Sequence, residues 1–137
     1  MFTARRGLAT TVRRIVLANQ SRLLREMLQH ALEKNPRLHI VGQTADVPDL
    51  LQTVERTAPH WVILSLSPEG KMPQAADIVV RLHSAVCVLA MTTDGSHAKV
   101  KCNRSRETNL GSLTFRKLIA ILVGDGAGES ARRELSN

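Results

Sequence analysis

The chain has 137 residues, an apolar fraction of 43% with two Phe, one Trp and no Tyr, and a formal net charge of +7, which suits one domain with an aliphatic core. No stretch reaches the roughly 20 apolar residues that span a bilayer, and no apolar segment of the signal-peptide kind follows the N-terminus, so membrane and secreted classes are set aside and a cytoplasmic location is expected. The charge is uneven: residues 1–25 carry six Arg and no acid, residues 26–95 sum to −3, and residues 96–118 sum to +5.

Residues 1–12 lack periodicity and read as a basic arm. Arg14 to Ala18 is a short apolar strand, and Ser21 is placed to cap the helix that follows. In that helix Leu23, Leu24, Met27, Leu28, Ala31 and Leu32 recur at the spacing of one face, and Asn35-Pro36 ends it. Leu38 to Gly42 is a second strand. Asp46-Val47-Pro48-Asp49 starts a second helix, with Pro48 in its first turn and Leu50, Leu51 and Val54 inward.

Trp61 to Leu66 is apolar except for Ser65 and is bounded by Pro59 and by Ser67-Pro68. That pattern reads as a strand of a parallel sheet buried on both faces. Ligands of open α/β sheets sit at the carboxyl ends of such strands, so Ser65 is a candidate site residue; its bland reading is a small, satisfied polar group. A helix over about Gln74 to His83 shows Ala75, Ile78, Val79 and Leu82 as its stripe. Ala85 to Met91 is a fourth buried strand, in which Cys87 reads as a small core residue in a reduced setting.

Residues 96–107 are ambiguous: Lys99, Lys101, Arg104 and Arg106 with few apolar members fit a poor helix, a strand with alternate basic residues, or a loop. Asn109 to Leu113 is a candidate fifth strand. Thr114 caps a last helix with Phe115, Leu118, Ile119, Leu122 and Val123 as its face, and the glycines from Gly124 stop it. Strands alternating with helices argue for parallel βαβ units in a doubly wound sheet. The five His residues lack ligand spacing, so no metal or other cofactor is expected.

On these residues the chain resembles the receiver domain of two-component response regulators, of the type that precedes a helix-turn-helix output domain. Ile15 to Leu28, Ile40 to Asp46, Pro59 to Pro68 and Val86 to Thr92 carry the resemblance. It implies a flavodoxin-like (CheY-like) α/β fold: five parallel strands with helices on both faces, irregular around the fourth helix and fifth strand. The domain would span residues 13–123, with a polar tail at 124–137.

The resemblance also implies a site. The adjacent acids that hold Mg²⁺ in the family fall on Asn19 and Gln20, and the phospho-accepting aspartate falls on Ser65. The hydroxyl residue ending the fourth strand is kept as Thr92. The lysine of the fifth strand has no match, Asn109 or Gly111 falling nearest, and the aromatic switch residue is missing. Mg²⁺ favours charged oxygen donors, and a serine hydroxyl needs an adjacent base or metal to act as a nucleophile. The expectation is a degenerate pocket in a non-enzymatic, phosphorylation-independent interaction module of bacterial signalling or transcription. Its partner would be another protein or a second copy, met through the 96–123 face. The alternative is a nucleic-acid-associated protein that contacts DNA or RNA non-specifically through the arm and segment 96–118, with Lys99, Lys101, Arg104, Arg106, Arg116 and Lys117 as candidate contacts.

Overall fold

A computed structural model describes residues 12–102 and 107–124. Most of the expected arm and tail, together with Arg104 and Arg106, lie outside the described residues. The elements are β1 (Arg13–Leu17), α1 (Arg22–Glu33), β2 (Leu38–Gln43), α2 (Val47–Thr57), β3 (Trp61–Ser65), α3 (Gln74–Leu82), β4 (Cys87–Met91), β5 (Ala98–Cys102), β6 (Thr108–Asn109) and α4 (Phe115–Val123). They build a six-stranded sheet in the order β2-β1-β3-β4-β5-β6. No helix among the described residues is long and apolar enough to cross a membrane.

The apolar runs form strands because period-two alternation fills two cores at once. Ile15, Leu17, Trp61, Ile63, Leu89 and Met91 pack with α1 and α4 on one face. Val16, Ala18, Val62, Leu64, Val88 and Ala90 pack with α2 and α3 on the other. The helices start where expected. Ser21 Oγ accepts the Leu24 N–H at 3.2 Å, Asp46 Oδ1 accepts the Asp49 N–H at 2.9 Å, and Thr114 Oγ1 accepts the Lys117 N–H at 3.1 Å.

The buried faces are narrower than the periodicity suggested. In α1 only Leu24, Leu28 and Leu32 are buried, while Leu23 and Met27 are exposed. Between β1 and β2 the register shifts after Ile15, and Gly42 follows the shift. A Cβ there would meet Thr53 Cγ2 at 2.7 Å, so a larger residue would force the Thr53 side chain of α2 to shift.

The doubly wound α/β class is the one expected, but one edge of the sheet differs. Strands β1 to β4 are parallel, whereas β5 runs antiparallel to β4 and β6 antiparallel to β5. No helix intervenes between β4 and β5. The chain turns at Thr92 to His97 instead, with Gly95 at φ +77, and a Cβ at Gly95 would meet the Leu113 carbonyl oxygen at 2.7 Å. Of the three readings of 96–107, the strand with alternate basic residues is the one found over Ala98–Cys102, and residues 103–106 lie outside the described residues. Ala98 and Val100 are buried while Lys99 and Lys101 point to the opposite face. Of the candidate strand at 109–113 only Asn109 lies in a strand, the two-residue β6.

The hairpin also corrects the reading of the cysteines. Its register sets Cys102 directly opposite Cys87, their Cα atoms lie 4.3 Å apart, and the two form a disulfide. Disulfides are uncommon in reducing compartments, so cysteine usage no longer argues for a reduced cytosol.

At the start of β3, the Arg14 N–H donates to His60 Nδ1 at 2.9 Å and the His60 N–H donates to the Arg14 carbonyl at 2.8 Å. Burial first, then the Arg14 and Arg13 charges, hold the imidazole below its ordinary value of 6.5. A lowered folded-state value means that the unfolded chain binds the extra proton first. The contribution to stability is therefore complete above about pH 6.5 and is lost as the pH falls toward the folded-state value. Urea midpoints measured from pH 7.5 down to 5 are expected to fall, and His60→Gln is expected to flatten that dependence. The disulfide closes a separation of 15 residues, for which loop-closure entropy gives about 3 kcal/mol. Urea unfolding with and without a dithiol, and of a Cys87→Ser/Cys102→Ser variant, is expected to show a loss of that order.

Candidate functional site

The site forms where β1 and β3, adjacent in the sheet, release the chain to opposite faces. After β1 the chain enters α1, and after β3 it enters α3 on the other side. Such a switch point leaves a crevice beyond the carboxyl ends of the strands. Asn19 and Gln20 arrive from β1 and Ser65 from β3.

Asn19 is fully buried. Its Nδ2 donates to Ser65 Oγ at 3.1 Å, and its Oδ1 is buried with no hydrogen-bond partner among the described residues. The Arg25 guanidinium, one turn into α1, donates to the main-chain carbonyls of Asn19 and, at 3.3 Å, Gln20. Sequence reasoning missed Arg25; its place four residues beyond the Ser21 cap, where it can reach back over the helix start, was the available signal.

Thr92 is turned elsewhere. Its hydroxyl donates to Asp94 Oδ1 at 2.9 Å and accepts the His97 N–H at 3.1 Å, so it belongs to the turn between β4 and β5. In the same turn, hydrogen bonds from the Ser96 N–H, the Ser96 hydroxyl and the Thr92 hydroxyl hold the Asp94 carboxyl down to about 2. The geometry therefore brings Asn19, Gln20 and Ser65 together and commits the Thr92 hydroxyl to its own loop.

Strand β5 explains why no lysine reaches the site. It lies between β4 and β6, so Asn109, level with Lys99 in β5, stands one strand further out, about 4.8 Å. Lys99 and Lys101 are engaged with Glu107 at 3.6 Å and Asp77 at 3.3 Å. Arg116 and Lys117 begin α4 on the other side of the sheet, where Lys117 Nζ donates to the Leu110 carbonyl at 3.2 Å. The described basic candidates therefore divide between the two faces.

The Mg²⁺ that the resemblance implies does not fit these residues. The side chains at its two expected ligand positions are neutral amides, and a guanidinium lies against the adjacent carbonyls, where it opposes a second cation. Among the described residues no three His, Cys, Asp or Glu side chains converge to hold a metal.

Beside Ser65, on the α2 and α3 side, lies a cavity of about 310 Å³. Its walls are the ends of β1 and β3, the start of α2 and the loop before α3. Gln20, Asp46, Ser65 and Ser67 supply polar groups to an otherwise apolar lining.

No family model matches the chain, and no curated protein matches it. Solved structures do. A two-component response regulator of the LuxR family from Aurantimonas is 23% identical, with a TM-score of 0.53, and the match covers 60% of this chain and 59% of that one. The response regulator domain of Thermotoga maritima CheB is 14% identical with a TM-score of 0.54, covering 92% of this chain and 98% of that one. RcsB from Salmonella enterica serovar Typhimurium, bound to promoter DNA in the presence of a phosphomimetic, is 16% identical with a TM-score of 0.53, covering 61% of this chain and 44% of that one. Against the Aurantimonas and RcsB chains the match thus spans less than two thirds of their length. At these identities the likeness concerns architecture: the chain has the fold of response-regulator receiver domains.

Proposed function

We propose that the chain is a phosphorylation-independent receiver-like domain, spanning residues 13–123, that works by binding another protein in bacterial signal transduction or transcriptional control. Asn19, Gln20, Ser65 and Thr92 are the remains of its phosphorylation pocket. The observation that carries the proposal is the charge in that crevice: neutral Asn19 and Gln20 stand where the resemblance puts the metal ligands, and Arg25 donates to their main-chain carbonyls. A fold kept for binding needs its surfaces and its core, and it does not need the acids. The 96–123 segment, with α4 and the β5–β6 edge, is the surface proposed for a protein partner or a second copy. The cytoplasm is the compartment proposed for it, and the redox state of Cys87 and Cys102 in the native cell is the observation that bears on that choice.

Beryllofluoride or acetyl phosphate with Mg²⁺ is expected to give no saturable binding and no labile phosphoryl adduct, by mass spectrometry and by fluorescence of Trp61. Ser65→Asp alone is expected to leave Mg²⁺ unbound, because Asn19 and Gln20 still offer no charge; an adduct on the native chain would overturn the proposal.

A second reading, contact with DNA or RNA, is motivated by the +6 and +5 charge clusters and by the DNA-bound RcsB neighbour. It would rest on the arm and on Lys99, Lys101, Arg104, Arg106, Arg116 and Lys117. Non-specific binding of that kind is expected to tighten steeply as salt drops from roughly 200 to 50 mM. A flat titration of a DNA duplex across that range would remove it.

A further inference from the structure

The cavity beside Ser65 carries a more specific inference. Three alanines, Ala18, Ala45 and Ala75, are among its lining residues, and their lack of side-chain volume is what leaves the space. At about 310 Å³ it lies at the lower end of the roughly 300–1,000 Å³ range of small-molecule sites. It also occupies the switch point between β1 and β3, where doubly wound sheets take their ligands.

The loops around it are pinned before anything binds. The Lys71 N–H donates to Ser67 Oγ and the Ser67 N–H donates to the Lys71 carbonyl, both at 3.0 Å. The Thr44 N–H donates to the Leu17 carbonyl at 2.9 Å, and Asp46 caps α2. Pro68 and Pro73 stiffen the remaining side. A site fixed in this way avoids the ordering cost that weakens binding to mobile loops.

Its charge selects the ligand. Among the described residues no Lys, Arg or His lines the cavity, and the one charged lining residue is Asp46. An anion would be desolvated against an apolar wall beside a carboxylate, with no cation to offset it. A divalent cation would find a single carboxylate, one of whose oxygens already caps a helix. A neutral molecule meets neither penalty. The amide of Gln20 offers a donor and an acceptor and the carboxylate of Asp46 offers an acceptor, so the rim complements a group that presents both N–H and C=O.

We propose that this cavity binds a small, uncharged, mainly apolar molecule bearing an amide or lactam edge. The proposal rests on reading the phosphorylation pocket as dismantled, since it asks the same crevice to hold a neutral ligand in place of a phosphoryl group and its metal.

Benzamide and benzoate test this, because they share a shape and differ in charge. In ligand-observed NMR titrations of the intact chain, benzamide is expected to bind saturably in the low-millimolar range natural to so small a fragment. Benzoate is expected to bind at least about tenfold more weakly. Ala45→Trp, at an exposed position on the cavity rim, is expected to abolish benzamide binding while leaving the circular dichroism unchanged. Benzoate binding as well as benzamide, benzamide binding unaffected by Ala45→Trp, or no saturable benzamide signal would each overturn the proposal. A phosphoryl adduct from acetyl phosphate would overturn the earlier reading and would leave the benzamide result standing, so the two failures are distinguishable.

Discussion

Burial of β1, β3 and β4 on both faces is the constraint on which the rest of this structure depends. A strand covered on both sides has no water to satisfy its main chain, so every N–H and C=O must find a partner in the sheet or at its ends. The ladder from β2 through β4 does this in parallel register. Where strands run out, single bonds continue it: the Ala18 N–H donates to the Ile63 carbonyl at 2.8 Å and the Leu66 N–H to the Met91 carbonyl at 3.0 Å. These bonds fix the ends of β1 and β3 side by side. The crevice there exists because the chain has to leave those ends in opposite directions.

Much of this could be read from residue types alone, because double-sided burial writes itself as a continuous apolar run. Trp61 to Leu64 could scarcely be anything else. The capping residues Ser21, Asp46 and Thr114 were equally legible, since a short polar side chain ahead of an apolar stripe has one obvious use. Residues 96–107 were not legible. Their alternation of Lys and small apolar residues fits more than one periodicity, and the choice was made by pairing with the edge of β4 across the turn at Thr92 to His97. The disulfide was hidden for the same reason: the two cysteines meet only once β5 is known to double back.

The candidate site was half legible. The resemblance pointed to Asn19, Gln20 and Ser65, and the structure brings these three together. It did not point to Arg25. Arg25 acts through main-chain carbonyls, so no side-chain pairing betrays it in the sequence. Thr92 keeps the expected residue type but spends its hydroxyl on Asp94 and His97, a reminder that a matching letter can serve a different neighbour.

The reversal of β5 has a geometric consequence for how such a domain could be read by others. In a wholly parallel sheet the loops that follow the strands all gather at one pole, so input and output crowd the same end. Here β5 descends from Ala98, opposite Met91, to Cys102, opposite Cys87, and hands the chain over at the amino pole of β4. The crevice beside Ser65 opens at the other pole. Molecules engaging the two ends need not exclude one another, and the hairpin closed by Cys87 and Cys102 is the stretch of sheet that connects them.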